Sequence, residues 1–130
     1  MDAIASSGGC GSRGARARVS TPAEALEAGE DSLTILPPGH SSIELLDAGT
    51  VTRVFSVRAT DLAALAGNGA VYAHGASGVA ALEDWPMPPD GYKLRHYALA
   101  GYNDPKIFGR LFRSRNLMIN VFAPVKEKRD

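Results

Sequence analysis

The sequence lacks several features on which specific functions usually depend. It has one cysteine, one tryptophan and three histidines in 130 residues, and it contains no apolar run near the roughly 20 residues that a membrane-spanning helix needs. The single cysteine, Cys10, excludes an internal disulfide and fits a reducing compartment. The first residues are acidic and no apolar segment follows them, so no secretory signal is expected. These absences predict a protein without a membrane segment and a cytoplasmic location, alone or in an assembly formed there.

Histidine and serine patterns typical of catalysis are also missing. His40, His74 and His96 have no metal-ligand partner at short spacing, so the sequence predicts no metal site. Ser77 lies in the segment Gly75-Ala76-Ser77-Gly78, where the second glycine comes one residue too early for a nucleophile elbow. We therefore expect Ser77 to lie in an ordinary glycine-bounded turn.

Patterns for cofactor binding and for paired catalytic carboxylates are equally weak. Gly67-Asn68-Gly69 lacks the third glycine of a dinucleotide-binding loop, and no long helix follows it. Glu83 and Asp84 adjoin Trp85, but adjacent acids beside one tryptophan do not define two catalytic roles. The sequence therefore predicts no catalytic residues and no cofactor, and a protein that is not an enzyme.

The composition that is present is that of one globular domain. Hydrophobic residues make up 45% of the chain and charged residues 22%, which are ordinary values. Residues 1–20 differ, because Gly, Ser and Arg dominate them and leave little apolar surface to offset the entropy of ordering. The sequence therefore predicts an extended N-terminal arm over 1–20, a β-rich domain over 21–125 and a charged tail over 126–130.

Short alternating segments bounded by glycine and proline predict mainly strands. The predicted strands are Ser32–Leu36, Ser42–Leu46, Thr50–Arg58, Ala70–His74, Tyr92–Ala100 and Leu117–Val125, and residues 79–84 fit a strand or a turn. The residues Asp47-Ala48-Gly49 predict a hairpin connection between the second and third strands. In the last strand, the odd-numbered residues should face one way and Met118, Asn120 and Phe122 the other.

Three short helices are predicted between the strands. Thr21-Pro22-Ala23-Glu24 has the Thr cap, the Pro and the capping-box Glu of a helix start, and Gly29 should end that helix. Thr60–Ala66 has a Thr cap and stops at Gly67. A third helix should begin at Asn103-Asp104-Pro105 and place four apolar residues on one face: Ile107, Phe108, Leu111 and Phe112. These elements predict a single mainly-β domain of the β-sandwich or jelly-roll type, with a β-rich α+β domain as the next choice.

Charge is balanced over the whole chain but unevenly distributed along it. Residues 21–50 carry six acidic and no basic residues (−6), whereas residues 93–130 carry nine basic and three acidic residues (+6). One interpretation is that folding mixes these charges on one surface. The other is that an acidic face of one copy meets a basic face of the next, or that a basic patch touches nucleic acid. Nucleic acid is the weaker choice, because the whole chain is neutral.

Eight residues are candidates for contacts with a protein partner: Arg13, Arg16 and Arg18 in the arm, Trp85 and Met87 in a proline-rich loop, and Arg110, Arg113 and Arg115 before the last strand. An arm can bind a neighbouring protein by strand addition or by Arg–carboxylate pairs. A stiff loop that presents Trp85 and Met87 loses little entropy on binding, although the same loop could simply cover the core.

In this layout the chain resembles the cement or decoration proteins of tailed-phage capsids. The resemblance rests on the Gly/Arg arm over 1–20, the strands between Ser32 and Val125, and the tail Lys126–Asp130. It implies a structural protein of the virion whose arm clamps coat subunits, or further copies of itself, and so stabilises the shell. The alternative is a small β-sandwich module that binds carbohydrate or peptide through aromatic residues: Tyr72, Trp85, Tyr92 and Tyr97.

Overall fold

A computed structural model describes residues 2–7, 16–55, 59–74, 77, 86–102, 109–114 and 118–122. The strands in these ranges are β1 (Asp2–Ser7), β2 (Ala17–Ser20), β3 (Ala25–Ala28), β4 (Ser32–Leu36), β5 (Ser42–Leu45), β6 (Thr50–Val54), β7 (Arg95–Ala98), β8 (Gly109–Arg113) and β9 (Met118–Phe122). The helices are α1 (Thr60–Leu65) and α2 (Gly69–His74), and a 3-10 helix spans Leu99–Tyr102. The prediction of a mainly-β protein with short helices is confirmed. No helix in the described ranges is long and apolar enough to cross a membrane.

The described strands form three small antiparallel sheets. The strand order is β6-β1-β4-β7 in the first sheet and β3-β2-β5 in the second, and β8 and β9 form a two-stranded hairpin. The chain passes back and forth between the first two sheets, since β1, β4 and β6 belong to one and β2, β3 and β5 to the other.

Two strands of this arrangement come from the predicted arm. β1 pairs with β4 and β6, and β2 is the central strand of its sheet, with Ala17 and Val19 buried. Residues 2–7 and 17–20, which the sequence places in an extended arm, therefore pair as strands with other parts of the chain. The division of the chain into arm, domain and tail stays a prediction. Strand stability depends on cross-strand partners more than on local composition, and three of the partners here, β4, β5 and β6, come from later parts of the chain.

The predicted hairpin across Asp47-Ala48-Gly49 is wrong. The two flanking strands do form, but β5 pairs with β2 and β6 pairs with β1. The loop therefore carries the chain from one sheet to the other. Its Asp and Gly residues correctly indicated a change of direction, whereas the choice of strand partner depends on β1 and β2.

The segment from Thr21 to Glu24 closes the β2–β3 hairpin and does not begin a helix. The backbone N–H of Thr21 donates to the Glu24 carbonyl at 2.7 Å, and the Glu24 N–H donates to Thr21 Oγ1 at 3.0 Å. The side chain that would cap a helix therefore stabilises a turn instead. Ala25–Ala28 continues as a strand because Leu26 and Ala28 then face an apolar cluster while Glu27 stays exposed.

The predicted strand over Ala70–His74 is also wrong, because Gly69–His74 forms α2. Gly69 allows this helix to start close to the end of α1, since a Cβ at that position would lie 2.8 Å from the Ala63 carbonyl oxygen. The prediction of α1 is confirmed, but its Thr60 cap is not. Ala59 occupies the N-cap position and makes no side-chain capping hydrogen bond.

The third predicted helix is replaced by a strand where the structure describes it. Gly109–Arg113 forms β8, and residues 103–108 lie outside the described residues. Leu111 and Phe112, which a helix would place on one apolar face, therefore point to opposite sides. Pairing with β9 across five residue pairs outweighs the helical spacing of the apolar residues.

Two apolar clusters lie on opposite faces of β4, whose five residues are all buried. One cluster contains Leu33, Ile35, Leu99 and Phe112, with Tyr97, Ile119 and Val121 packed against it. The other contains Val19, Ala28 and Leu36, with Leu26, Ile43, Val51 and Leu94 packed against it. Because successive residues of a strand face opposite sides, the first cluster joins β4 to the β8–β9 hairpin and the second joins it to the β3-β2-β5 sheet.

Candidate protein-binding surface

The β8–β9 hairpin has one face turned inward and one turned to solvent. Phe112 pairs with Ile119 in the register, and both pack in the apolar cluster. The alternate residues form what we call the outer face: Leu111, Arg113, Met118 and Asn120. Leu111 is 56% exposed and Met118 is 53% exposed, whereas Phe112 is 7% exposed. The alternation predicted for the last strand is confirmed at the residues from Met118 to Val121.

Aromatic packing beneath the hairpin fixes its position. The Phe112 ring centroid lies 4.7 Å from that of Tyr97 and 5.4 Å from that of Tyr102, and the two tyrosine rings are 5.7 Å apart. Arg95 of β7 adds a hydrogen bond from Nη2 to the Arg113 carbonyl at 2.9 Å. The two contacts of the Tyr102 ring are edge-to-face, an arrangement that stabilises packing beyond the area it buries. The outer face is therefore presented by a hairpin that is anchored on β7 and the 3-10 helix.

Arg16, a predicted partner-binding residue, is engaged within the chain. Its Nε and Nη2 donate to the two carboxylate oxygens of Asp47 at 2.6 and 3.2 Å, and its Nη1 donates to Glu27 Oε1 at 3.1 Å. The hydrogen bond and the charge of Asp47, followed by the charge of Glu27, raise the pKa of Arg16. The three side chains are exposed, so this network orders the surface more than it stabilises the fold.

Arg18 is engaged in the same way on the same strand. Its Nη1 donates to Glu44 Oε2 at 3.4 Å, and the register places Arg18 opposite Glu27 on one side and Glu44 on the other. In this sheet, folding therefore mixes basic and acidic residues on one surface. Arginines of residues 16–18 meet acidic residues of the 21–50 segment in the same molecule.

The other predicted contact residues fall in different places. Met87 is 56% exposed, Arg113 is exposed on the outer face, and Arg110 lies in β8 opposite Val121. Arg13, Trp85 and Arg115 lie outside the described residues, as do Cys10, Glu83, Asp84 and the tail 126–130. The structure thus brings Arg16 and Arg18 together in one sheet and Arg110 and Arg113 together in another.

The aromatic residues proposed for ligand binding do not share one described surface. Tyr97 packs in the apolar cluster, and Tyr92 is partly buried. The side chains of Tyr72 and Trp85 lie outside the described residues. No arrangement of these rings favours a carbohydrate or peptide site within the part of the chain that the structure describes.

Leu111 and Met118 are the surface residues that sequence reasoning missed. Met118 was correctly placed on the face opposite Ile119 and Val121, and this alternation is the signal that could have identified it. For Leu111 the sequence predicts a helix, because Ile107, Phe108, Leu111 and Phe112 recur at helical spacing on one face. Once β8 is a strand, its pairing places Leu111 diagonally across from Met118.

A polar pair lies on the opposite face of β4 from the Phe112 cluster. Thr34 is 1% exposed, and its Oγ1 is 2.9 Å from Nδ1 of His96, which is its partner in the β4–β7 register. The pair satisfies a hydroxyl that would otherwise be buried without a hydrogen bond. Burial lowers the pKa of His96, because the charged imidazolium loses hydration in this position.

The lowered pKa of His96 predicts loss of stability in acid. The unfolded histidine has a pKa of 6.5 and the folded one a lower value, so the unfolded chain binds the proton more readily. The contribution to stability is therefore complete above the unfolded pKa and is lost as the pH falls through 6.5 toward the folded value. Urea unfolding from about pH 8 to about pH 5 measures this fall.

The variant His96→Asn assigns that fall to one residue. It should flatten the dependence of the unfolding free energy on pH, because residue 96 then binds no proton in this range. A pH dependence as steep as that of the wild-type chain would contradict the assignment.

Metal-site geometry and similarity to known proteins give no further assignment. Among the described residues, no group of three or more His, Cys, Asp or Glu side chains could hold a metal ion. No protein-family model matches the chain, and neither the curated proteins nor the solved structures contain a significant match. The functional proposal below therefore rests on the chain's own surface.

Proposed function

We propose that this protein acts by binding another protein, as one component of a larger assembly, through the outer face of the β8–β9 hairpin. The observation that carries the proposal is the exposure of Leu111 and Met118, at 56% and 53%, on adjacent strands of one anchored hairpin. Exposed apolar side chains grouped on one face favour a partner that covers them. Methionine suits such a surface because its flexible side chain adapts to the partner.

The charge around this face indicates which chemical groups the partner surface should carry. Arg113 lies directly opposite Met118 in the register, and residues 93–130 carry an excess of six basic residues. The partner surface should therefore combine apolar groups with carboxylates, which pair well with arginine. We place the carboxylates of the partner surface on a different protein, because Glu27, Glu44 and Asp47 of this chain already bind Arg16 and Arg18.

Capsid decoration is the specific form of this proposal that the sequence layout suggests. In this form the partner is a coat protein, and repeated copies stabilise the shell by the area that each one covers. In this form the coat protein contacts the outer face of the β8–β9 hairpin and not the arm expected from the sequence, because β1 and β2 pair with other strands of the same chain. Stacking of the sheets as in a β-sandwich belongs to the same proposal, and the clusters on opposite faces of β4 support it.

Paired serine substitutions test the proposed surface. Leu111→Ser/Met118→Ser removes both apolar side chains, and Leu45→Ser/Val54→Ser is the matched control at positions that are 50% and 39% exposed. The tagged wild-type chain and both variants are incubated with a lysate of the native source, and the retained proteins are quantified. The proposed partner binds wild type and control equally and binds the outer-face variant about 10- to 100-fold more weakly, the effect of losing a few central apolar contacts.

Two results would overturn parts of this proposal separately. If no retained protein distinguishes the outer-face variant from the control, the hairpin is not the binding surface. If a retained protein binds the wild type and the control but not the outer-face variant, and electron microscopy shows that it forms no shell, the proposal of protein binding stands and that of capsid decoration fails.

A further inference from the structure

The first strand of the chain fills a gap between two other strands. β1 pairs with β4 from Asp2–Leu36 to Ser6–Ser32, and with β6 from Ala3–Val54 to Ser7–Thr50. In the order β6-β1-β4-β7, it is therefore an interior strand with five partner residues on each side. Within the described residues β6 has no other sheet partner, so β1 alone joins it to the sheet.

The gap has the dimensions and chemistry of a strand-binding site. Neighbouring strands lie about 4.7–4.9 Å apart, so β4 and β6 are separated by about twice that distance. Without β1, both would present unpaired N–H and C=O groups along the edges that β1 now pairs. Such unpaired edges are templates for another strand, so the gap favours an inserted strand.

The inserted strand is bound mainly through its backbone. Its sequence is Asp-Ala-Ile-Ala-Ser-Ser, in which Ile4 is the sole large apolar residue. Strand addition of this type takes its affinity from main-chain hydrogen bonds and its register from a few side chains. The strand that fits this gap best is one with this same sequence, and every copy of the chain carries it.

The connection between β1 and β2 is long enough to reach another molecule. Eight residues, 8–15, separate Ser7 from Arg16, and four of them are glycine. Fully extended, eight residues span about 26–29 Å, about twice the radius of gyration of a domain of this size. One copy can therefore place β1 in a neighbour while its own β2 stays paired with β3 and β5.

We propose that the gap between β4 and β6 binds β1 from a second copy of this chain, and that two copies exchange this strand reciprocally. The exchanged dimer makes the same strand pairs as the single chain, so the two forms differ mainly in linker geometry and in the entropy of association. High protein concentration therefore favours the exchanged form. The exchange is slow, because β1 must leave both neighbours before it can enter another molecule.

A disulfide between β1 and β6 reports which molecule supplies the strand. Ala5 and Thr52 are register partners, and the Cα atoms of such partners lie about 4.5–5.5 Å apart, within the range that a disulfide spans. The variant is therefore Ala5→Cys/Thr52→Cys, made with Cys10→Ser. The control is Ser20→Cys/Ser42→Cys in the same background, which links β2 to β5, two strands that do not exchange. Both full-length variants are equilibrated at low and at high concentration, oxidised, and separated on a non-reducing gel.

The expected result is a covalent dimer for the β1–β6 pair that increases with protein concentration, while the β2–β5 pair links within one chain at every concentration. Sedimentation of the wild-type chain should show a dimer that rises over the same range. Links within one chain for both variants at all concentrations would overturn the proposal. A wild-type dimer without the β1–β6 interchain link would also overturn it, because the copies would then meet at another surface, such as the outer face of the β8–β9 hairpin.

Discussion

Replacing Phe112 with alanine should lower the free energy of unfolding by about 3–5 kcal/mol, as expected for a buried aromatic residue. Phe112 is 7% exposed, packs with Leu33, Ile35 and Leu99, and contacts the rings of Tyr97 and Tyr102. The substitution therefore removes both apolar burial and the aromatic contacts that anchor the β8–β9 hairpin. Urea unfolding followed by circular dichroism measures the loss.

The adjacent residue supplies the control for this prediction. Leu111→Ala should change the free energy of unfolding by no more than about 0.5 kcal/mol, the usual range for exposed positions. The contrast also tests the structure of the segment, because a helix would bury Leu111 and Phe112 on one face and a strand buries one of them. Comparable losses in both variants would contradict β8 and favour the helix that the sequence predicts.

Leu36→Ala should lower the free energy of unfolding by about 2–5 kcal/mol, through loss of burial and formation of a cavity. Leu36 is fully buried and packs with Val19 and Ala28, where β4 meets the β3-β2-β5 sheet. The matched control is Leu65→Ala in α1, because the same atoms are removed at a position that is 84% exposed. A loss at Leu65 equal to that at Leu36 would contradict the assignment of this second cluster.

The separation of the two clusters can be measured by a double-mutant cycle with smaller substitutions, so that the double variants remain folded. Leu36→Val and Phe112→Leu lie in different clusters and should be additive within about 0.5 kcal/mol. Leu33→Val and Phe112→Leu share one cluster and should deviate from additivity by about 0.5–3 kcal/mol. Equal coupling in both cycles would mean that β4 does not separate two cores.

The placement of Arg16 and Arg18 changes how the N-terminal residues are interpreted. The sequence predicts that an arm holds a neighbouring protein by strand addition or by Arg–carboxylate pairs. Both kinds of contact are present, but β1 adds to the chain's own sheet and the arginines bind the chain's own Glu27, Glu44 and Asp47. In the proposed strand exchange, β1 makes the same strand pairs, but with β4 and β6 of a second copy of the chain.

Local patterns predicted several elements because the physical cause of each element is itself local. Ser32–Leu36 is an apolar run ended by Pro37-Pro38-Gly39, and it forms β4 with the predicted bounds. Alternation in Leu117–Val125 predicted that successive residues of β9 face opposite sides, and the glycine stop predicted the end of α1 near Gly67. Each of these signals acts within a few residues, so the sequence alone expresses it.

The candidate surface was only partly predictable. Arg113 was selected from its charge, and Met118 was placed on the correct face, but Leu111 was assigned to a helix. In the segment Gly-Arg-Leu-Phe-Arg, adjacent apolar residues fit one face of a helix and both faces of a strand equally well. The pairing with β9 and the packing of Phe112 against β4 decide between them, and the residue pattern of β8 alone contains neither contact.

The sequence by itself determined that this protein is mainly β, where several strands and α1 occur, and that residues of the last strand alternate between two faces. Composition, alternation and turn residues act locally and suffice for these features. Only the tertiary structure decided that residues 2–7 and 17–20 pair as strands, that β5 and β6 lie in different sheets, and that Thr21–Glu24 closes a hairpin. In each case two local conformations were open, and the burial of side chains and backbone hydrogen bonds against distant strands selected one of them.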